Sequence, residues 1–168
     1  STTAFLHSGS SQSLIRMDLS TCKQLSSVDT AGDLFTQSSP AFTNPEAGEP
    51  QLVTTTVSGT RGHSPKDVST SWHAKLGTGA TCQDGPPPVS SPATFDSKAY
   101  VASIDGVVRA YDTTSDTPAT PLWETKLGYL PGESPMDDPF RVQAGCKGEG
   151  AGSPAGHALA TETVIYAG

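Results

Sequence analysis

The chain has 168 residues and carries 17 acidic against 10 basic side chains, a formal net charge of −7. That charge repels phosphate backbones and anionic lipid, so we expect no nucleic-acid partner. No apolar run approaches the roughly 18 residues that cross a bilayer, so we expect no transmembrane segment. Serine and threonine number 21 each, and no window repeats apolar residues at helical spacing. This composition predicts an all-β chain with long loops.

The N-terminal region predicts a pair of strands. Residues 4–8 and 14–19 are rich in apolar side chains and flank a Gly/Ser-rich turn. The sequence starts at Ser1 without a methionine, as a processed secretory protein or an internal fragment would. Both interpretations stay open, and the location that we expect is extracytoplasmic, either secreted or periplasmic.

Two short markers then recur in the same order along the chain. Ser-Ser-Pro-Ala at 38–41 returns at 90–93 and is echoed at 152–155, and Pro40 and Pro92 are 52 residues apart. Trp72 and Trp123, each followed by a Lys-Leu-Gly sequence, are 51 residues apart. Two independent markers with nearly one offset indicate an internal repeat. Its length, about fifty residues, is that of one four-stranded propeller blade.

The region between the markers contains the clearest hairpin. Residues 98–103 and 107–111 are β-rich runs joined through Asp105-Gly106, and Asp-Gly favours a tight turn because glycine adopts positive φ without steric cost. Three other stretches predict irregular structure. Residues 61–70 form a polar insertion, and residues 77–89 and 129–152 form loops rich in proline and glycine.

The segment 90–128, with its Ser-Ser-Pro-Ala marker, its Asp-Gly hairpin and Trp123, resembles the quinoprotein-type (pyrroloquinoline quinone-like, PQQ-like) propeller repeat. The resemblance implies that Ala110 and Trp123 form a docking pair, that Asp112 caps a turn and that Gly128 closes the blade. Repeat positions on both blades have structural roles that packing explains. They are Pro40, Trp72, Gly77, Pro92, Asp105, Gly106, Ala110, Trp123 and Gly128.

These observations predict a single repeat domain over residues 1–168, a partial β-propeller of about two to four four-stranded antiparallel blades. Residues 1–37 would form a partial blade, 38–89 a blade, 90–151 a blade with a long loop, and 152–168 the start of another. Such an open stack leaves strand edges and apolar faces exposed. We therefore expect a protein partner, or further blades, to cover them.

Chemical motifs are sparse. Asp137 and Asp138 lie between prolines and are candidate calcium ligands, although a solvated acidic loop is the alternative interpretation. The four histidines share no metal-ligand spacing, so each is interpreted as a surface or strand histidine. Cys22, Cys82 and Cys146 have no CxxC spacing, and the sequence leaves open whether two of them form a disulfide.

Three functional hypotheses follow, and no catalytic residue supports any of them. The first is an extracytoplasmic propeller that acts as a scaffold or binding module. The second is a fragment of a quinoprotein dehydrogenase oxidising alcohols or sugars, which alone would imply PQQ and calcium as cofactors. The third is a lectin-like propeller that binds glycans through its long loops.

Overall fold

A computed structural model describes residues 2–8, 13–30, 38–56, 58–75, 91–102, 107–126, 158–160 and 165–167. Throughout these ranges the chain forms β-strands and turns and no helix, which confirms the all-β prediction. The same residues contain no helix that could cross a bilayer.

The strands form antiparallel sheets in simple sequential order. The N-terminal sheet has order β1-β2-β3, the central sheet β4-β5-β6-β7 and the third sheet β8-β9-β10-β11, and β12 pairs with β13. The strand bounds are β1 (Thr3–Ser8), β2 (Ser13–Asp18), β3 (Lys23–Asp29), β4 (Ala41–Phe42), β5 (Leu52–Thr56), β6 (Gly59–His63), β7 (Thr70–Lys75), β8 (Ala93–Phe95), β9 (Lys98–Ala102), β10 (Val107–Asp112), β11 (Trp123–Lys126), β12 (Ala158–Ala160) and β13 (Ile165–Ala167).

The polar insertion predicted at residues 61–70 is wrong. Arg61 and His63 belong to β6, residues 64–69 make a turn, and Thr70 begins β7. The alternation of small and polar side chains at 59–63 is compatible with a strand buried between two sheets, and Gly59, with φ 146°, begins that strand after the hairpin turn. Strand β3, which the sequence analysis did not predict, is mostly polar and exposed.

The central sheet packs on both faces. Leu52 and Val68 contact the N-terminal sheet in a cluster with Leu14, while Val53 and Trp72 contact the third sheet. Strand β5 is consequently buried at every position, because consecutive side chains point to opposite faces and both faces are covered. The three sheets are therefore stacked face to face, with the central sheet in the middle.

The central and third sheets are hydrogen-bonded to each other at and beside their first strands, β4 and β8. The Ser39 N–H donates to Ser91 Oγ at 2.8 Å, and Thr94 Oγ1 donates to the Phe42 carbonyl at 2.9 Å. The Asn44 N–H, in turn, donates to the Asp96 carbonyl at 3.1 Å. Each pair joins residues 52 positions apart, so equivalent positions of the two sheets lie side by side. Strand β12 lies beside β8 and β9 and extends this row of first strands.

Candidate functional site: the two faces of the central sheet

Trp72 is the anchor of the central sheet on its third-sheet face. It lies in β7 directly opposite Gly62 of β6, and its side chain is only 7% exposed. A Cβ at Gly62 would lie 2.7 Å from indole Cδ1 and closer still to Nε1 and Cε2, so glycine is what lets the indole lie flat on the strand.

The indole of Trp72 also reaches across to the third sheet. Its ring centre is 5.7 Å from that of Tyr111, at an interplanar angle of 35°. Val53, Ala99 and Val101 complete the same buried cluster, so the contact surface is almost wholly apolar. Tilted aromatic pairs at this separation add to the stabilisation that comes from burial alone.

Trp123 occupies the matching position in the third sheet. It lies opposite Ala110 in the register of β10 and β11, as Trp72 lies opposite Gly62. Ala110 is fully buried, and the Trp123 ring centre is 6.3 Å from that of Tyr100, two strands away. A small residue beneath each indole is therefore common to both sheets. Trp123 remains 40% exposed, whereas Trp72 is covered.

The opposite face of the central sheet is polar and cationic. His63 is 0% exposed there, with Nε2 at 3.0 Å from Thr54 Oγ1 and Nδ1 at 3.3 Å from Thr70 Oγ1. Arg61 donates to the Thr30 carbonyl at 3.1 Å, and Arg16 of the N-terminal sheet donates to the Lys66 carbonyl. These bonds tie the first two sheets together through side-chain donors.

Two histidines at this interface bind a proton less readily than an exposed histidine does. The pKa of His63 is lowered to about 4, mainly by burial and in smaller part by the neighbouring His7, Arg61 and His73, against one backbone hydrogen bond at Val68 that raises it. Burial also lowers the pKa of His7, although the bond between its Nδ1 and the Ser38 carbonyl at 3.0 Å raises it. Both rings are therefore neutral at pH 7.

In each of the three sheets an aspartate lies at the turn that leads into the last strand. Asp18, Asp67 and Asp112 each accept bonds from the hydroxyl and backbone N–H of the serine or threonine two residues later. Side-chain bonds from Ser20 and Ser69 lower the pKa of Asp18 and of Asp67. Burial raises the pKa of Asp112, but bonds from Thr114 and Ser97 outweigh it and lower the net value. The turn-capping role that the resemblance implied for Asp112 thus has a direct geometric basis.

The remaining predicted site residues divide into two groups. Pro40 and Pro92 directly precede β4 and β8, where proline removes no ladder hydrogen bond. Cys22 is an exposed free thiol. Outside the described residues lie Gly77, Cys82, Asp105, Gly106, Gly128, Asp137, Asp138 and Cys146, with the predicted loops 77–89 and 129–152.

The described side chains do not build a site for a quinone–calcium pair. No group of three or more His, Cys, Asp or Glu side chains among them is arranged to hold a metal ion. Trp72 and Tyr111, the best-buried aromatic pair, are packed against each other between two sheets.

Sequence reasoning missed three residues that organise these faces. Gly62 has no motif around it, but its register opposite Trp72 makes it the counterpart of Ala110. His63 and Tyr111 are each the fifth residue of their strands, and each faces the preceding sheet. An alignment of the two repeats that treats residues 59–63 as a strand would have matched Gly62 with Ala110 and His63 with Tyr111.

No protein-family model matches the chain, and a search among curated proteins finds no match. The geometry of the stacked sheets is therefore the basis for a functional interpretation.

Proposed function

We propose that the chain is part of a β-propeller that acts as an extracytoplasmic scaffold or protein-binding module. The observation that carries the proposal is the close approach of the first strands, in which residues 52 positions apart hydrogen-bond within β4 and β8 and in the residues that flank them. At this edge the backbones touch, whereas farther out the sheets are separated by the side chains of Trp72 and Tyr111. Sheets that converge at one edge and diverge at the other fan around an axis, as blades do.

Exposed apolar side chains on the N-terminal and third sheets support a covering partner. On the N-terminal sheet, Leu6 lies on the face opposite Phe5, which packs on the central sheet, and it is 45% exposed. On the third sheet, Trp123 and Leu122 are exposed. Apolar side chains at equivalent positions inside the stack are buried by the next sheet, so a further blade or a protein partner suits both surfaces.

The extracytoplasmic location belongs to the same proposal and follows from the resemblance to quinoprotein-type repeats. Cell fractionation of the source organism tests it directly. Recovery of the protein in the cytosolic fraction alone would contradict this part of the proposal without affecting the fold.

The function is tested by purifying the native protein and measuring its polypeptide mass, its assembly mass and its absorbance spectrum. A propeller scaffold predicts a polypeptide or an assembly well above the 17.3 kDa of this chain, and no quinone absorbance. A monodisperse, folded particle of 17.3 kDa would overturn the proposal.

Two activity assays on the same preparation separate the other candidates. Dye-linked oxidation of alcohols or sugars that depends on added PQQ and calcium would replace the scaffold with the dehydrogenase. Retention on immobilised glycans that survives chelation would replace it with the lectin. The scaffold predicts a negative result in both assays.

A further inference from the structure

His63 is a fully buried titratable group held in its neutral form. Its Nε2 and Nδ1 lie 3.0 Å and 3.3 Å from the hydroxyl oxygens of Thr54 and Thr70, which can donate or accept and so satisfy the ring in either protonation state. What opposes protonation is the charge that it would bring into a site with no solvent contact. The closed interface therefore disfavours proton uptake.

The charged surroundings strengthen this preference. The titratable and charged side chains on the strands of the two sheets and the turn around His63 are His7, Arg16, Asp18, Lys23, Asp29, Arg61, Lys66, Asp67, His73 and Lys75. None of the three aspartates is buried, and the carboxylates of Asp18 and Asp67 are bonded within their own turns. A proton on His63 would consequently meet mainly cations.

The other interface of the central sheet lacks such a group. Tyr111 occupies the strand position in the third sheet that His63 occupies in the central sheet, and it packs against Trp72. A phenol does not change charge between pH 7 and pH 5. A fall from pH 7 to pH 5 therefore favours a new charge at the contact between the N-terminal and central sheets, but not at the contact between the central and third sheets.

We propose that the contact between the N-terminal and central sheets is an acid-operated switch. Protonation of His63 near pH 5 separates the N-terminal sheet, while the central and third sheets stay packed. The closed state has the lower affinity for the proton, so its stability is complete above pH 6.5 and falls as the pH drops towards 4. Between pH 7 and pH 5 the opening equilibrium rises roughly 20- to 30-fold by this linkage.

Hydrogen exchange of the 168-residue chain, measured at pH 7 and pH 5 and corrected for the intrinsic pH dependence of exchange, tests the proposal. We expect protection in residues 3–29 to fall at least tenfold at pH 5, on the order of the linkage estimate, while residues 93–126 change less than twofold. Unchanged protection in residues 3–29, or equal loss in all three sheets, would overturn it.

Substitution of the histidines identifies the responsible group. His63→Gln keeps a donor and an acceptor without a titrating ring, and we expect it to abolish the acid response of residues 3–29. His7→Gln, the matched control at the same interface, should retain most of that response. The proposal fails if the two variants behave in the opposite way.

An NMR titration of the wild-type chain covers the case in which His63→Gln does not fold. The imidazole signals of His63 and the backbone amides of residues 3–29 should then shift over the same pH range. Titration of the ring without a change in those amides would contradict the switch.

Discussion

The two faces of the central sheet do the same structural task with different chemistry. Towards the third sheet the contact is largely apolar, built on Trp72 and Tyr111, and the residues described in that cluster include none that changes charge between pH 4 and pH 7. Towards the N-terminal sheet a smaller apolar cluster is accompanied by His63, Arg61 and their hydrogen bonds. Sheets with the same strand order can thus form one contact whose stability is insensitive to pH and, on the other face, one whose stability depends on pH.

The largest expected effect comes from removing the tryptophan of the apolar interface. Trp72→Ala should lower the free energy of unfolding by ~3–5 kcal/mol, because it removes a buried indole and leaves a cavity. Trp123→Ala is the matched control, with an expected loss of roughly 1–2 kcal/mol because its indole is 40% exposed. Urea denaturation at pH 7 measures both, and equal losses would show that the two tryptophans are not distinguished by burial.

The pH dependence of stability tests the polar interface. The pKa of His63 is about 4 in the folded chain and 6.5 when exposed, so the unfolded chain binds more protons between these values. Stability is therefore complete above pH 6.5 and decreases by up to roughly 3 kcal/mol as the pH falls to 4. Denaturation of wild type and His63→Gln across this range should give curves that converge at low pH. Parallel curves would assign the acid loss to other groups.

Gly62→Ala tests how tightly the indole lies on the central sheet. The added Cβ collides with the Trp72 ring, and we expect a loss of about 1–3 kcal/mol. In a Trp72→Leu background the same change should cost much less, which a double-mutant cycle measures. Ala110→Gly beneath the exposed Trp123 is the control, with a loss of about 1 kcal/mol or less. Additive effects in the cycle would mean that glycine is required at position 62 by the backbone conformation and not by contact with the Trp72 indole.

The smallest effect is expected at the aspartate turns, which all three sheets share. Asp112→Ala removes an acceptor for the Thr114 hydroxyl and N–H and should cost about 1 kcal/mol. Asp112→Asn keeps the oxygen acceptor and should recover part of the loss, as thermal unfolding at pH 7 can show. A loss as large as that of Trp72→Ala would place the turn, and not the sheet–sheet contacts, at the centre of stability.

Part of the fold could be predicted because it depends on local patterns. The pairing of β9 with β10 and the strands β1 and β2 follow from alternation and turn residues, and the pairing of Ala110 with Trp123 was implied by the resemblance to a known repeat. The segment 61–70 was misjudged because a strand buried on both faces by threonine, glycine and histidine lacks apolar alternation. Strand β3 was missed because its exposed polar residues resemble a loop.

By itself, the sequence determined the all-β class, the repeat of about fifty residues and the positions of the two tryptophans, since strand periodicity and repeated markers are local properties of the chain. Only the tertiary structure decided which tryptophan is covered and which histidine is buried. It also placed Gly62 under Trp72 and aligned His63 with Tyr111. Those relations join residues through sheet register and stacking, and a linear pattern does not specify which faces meet or how much water each contact excludes.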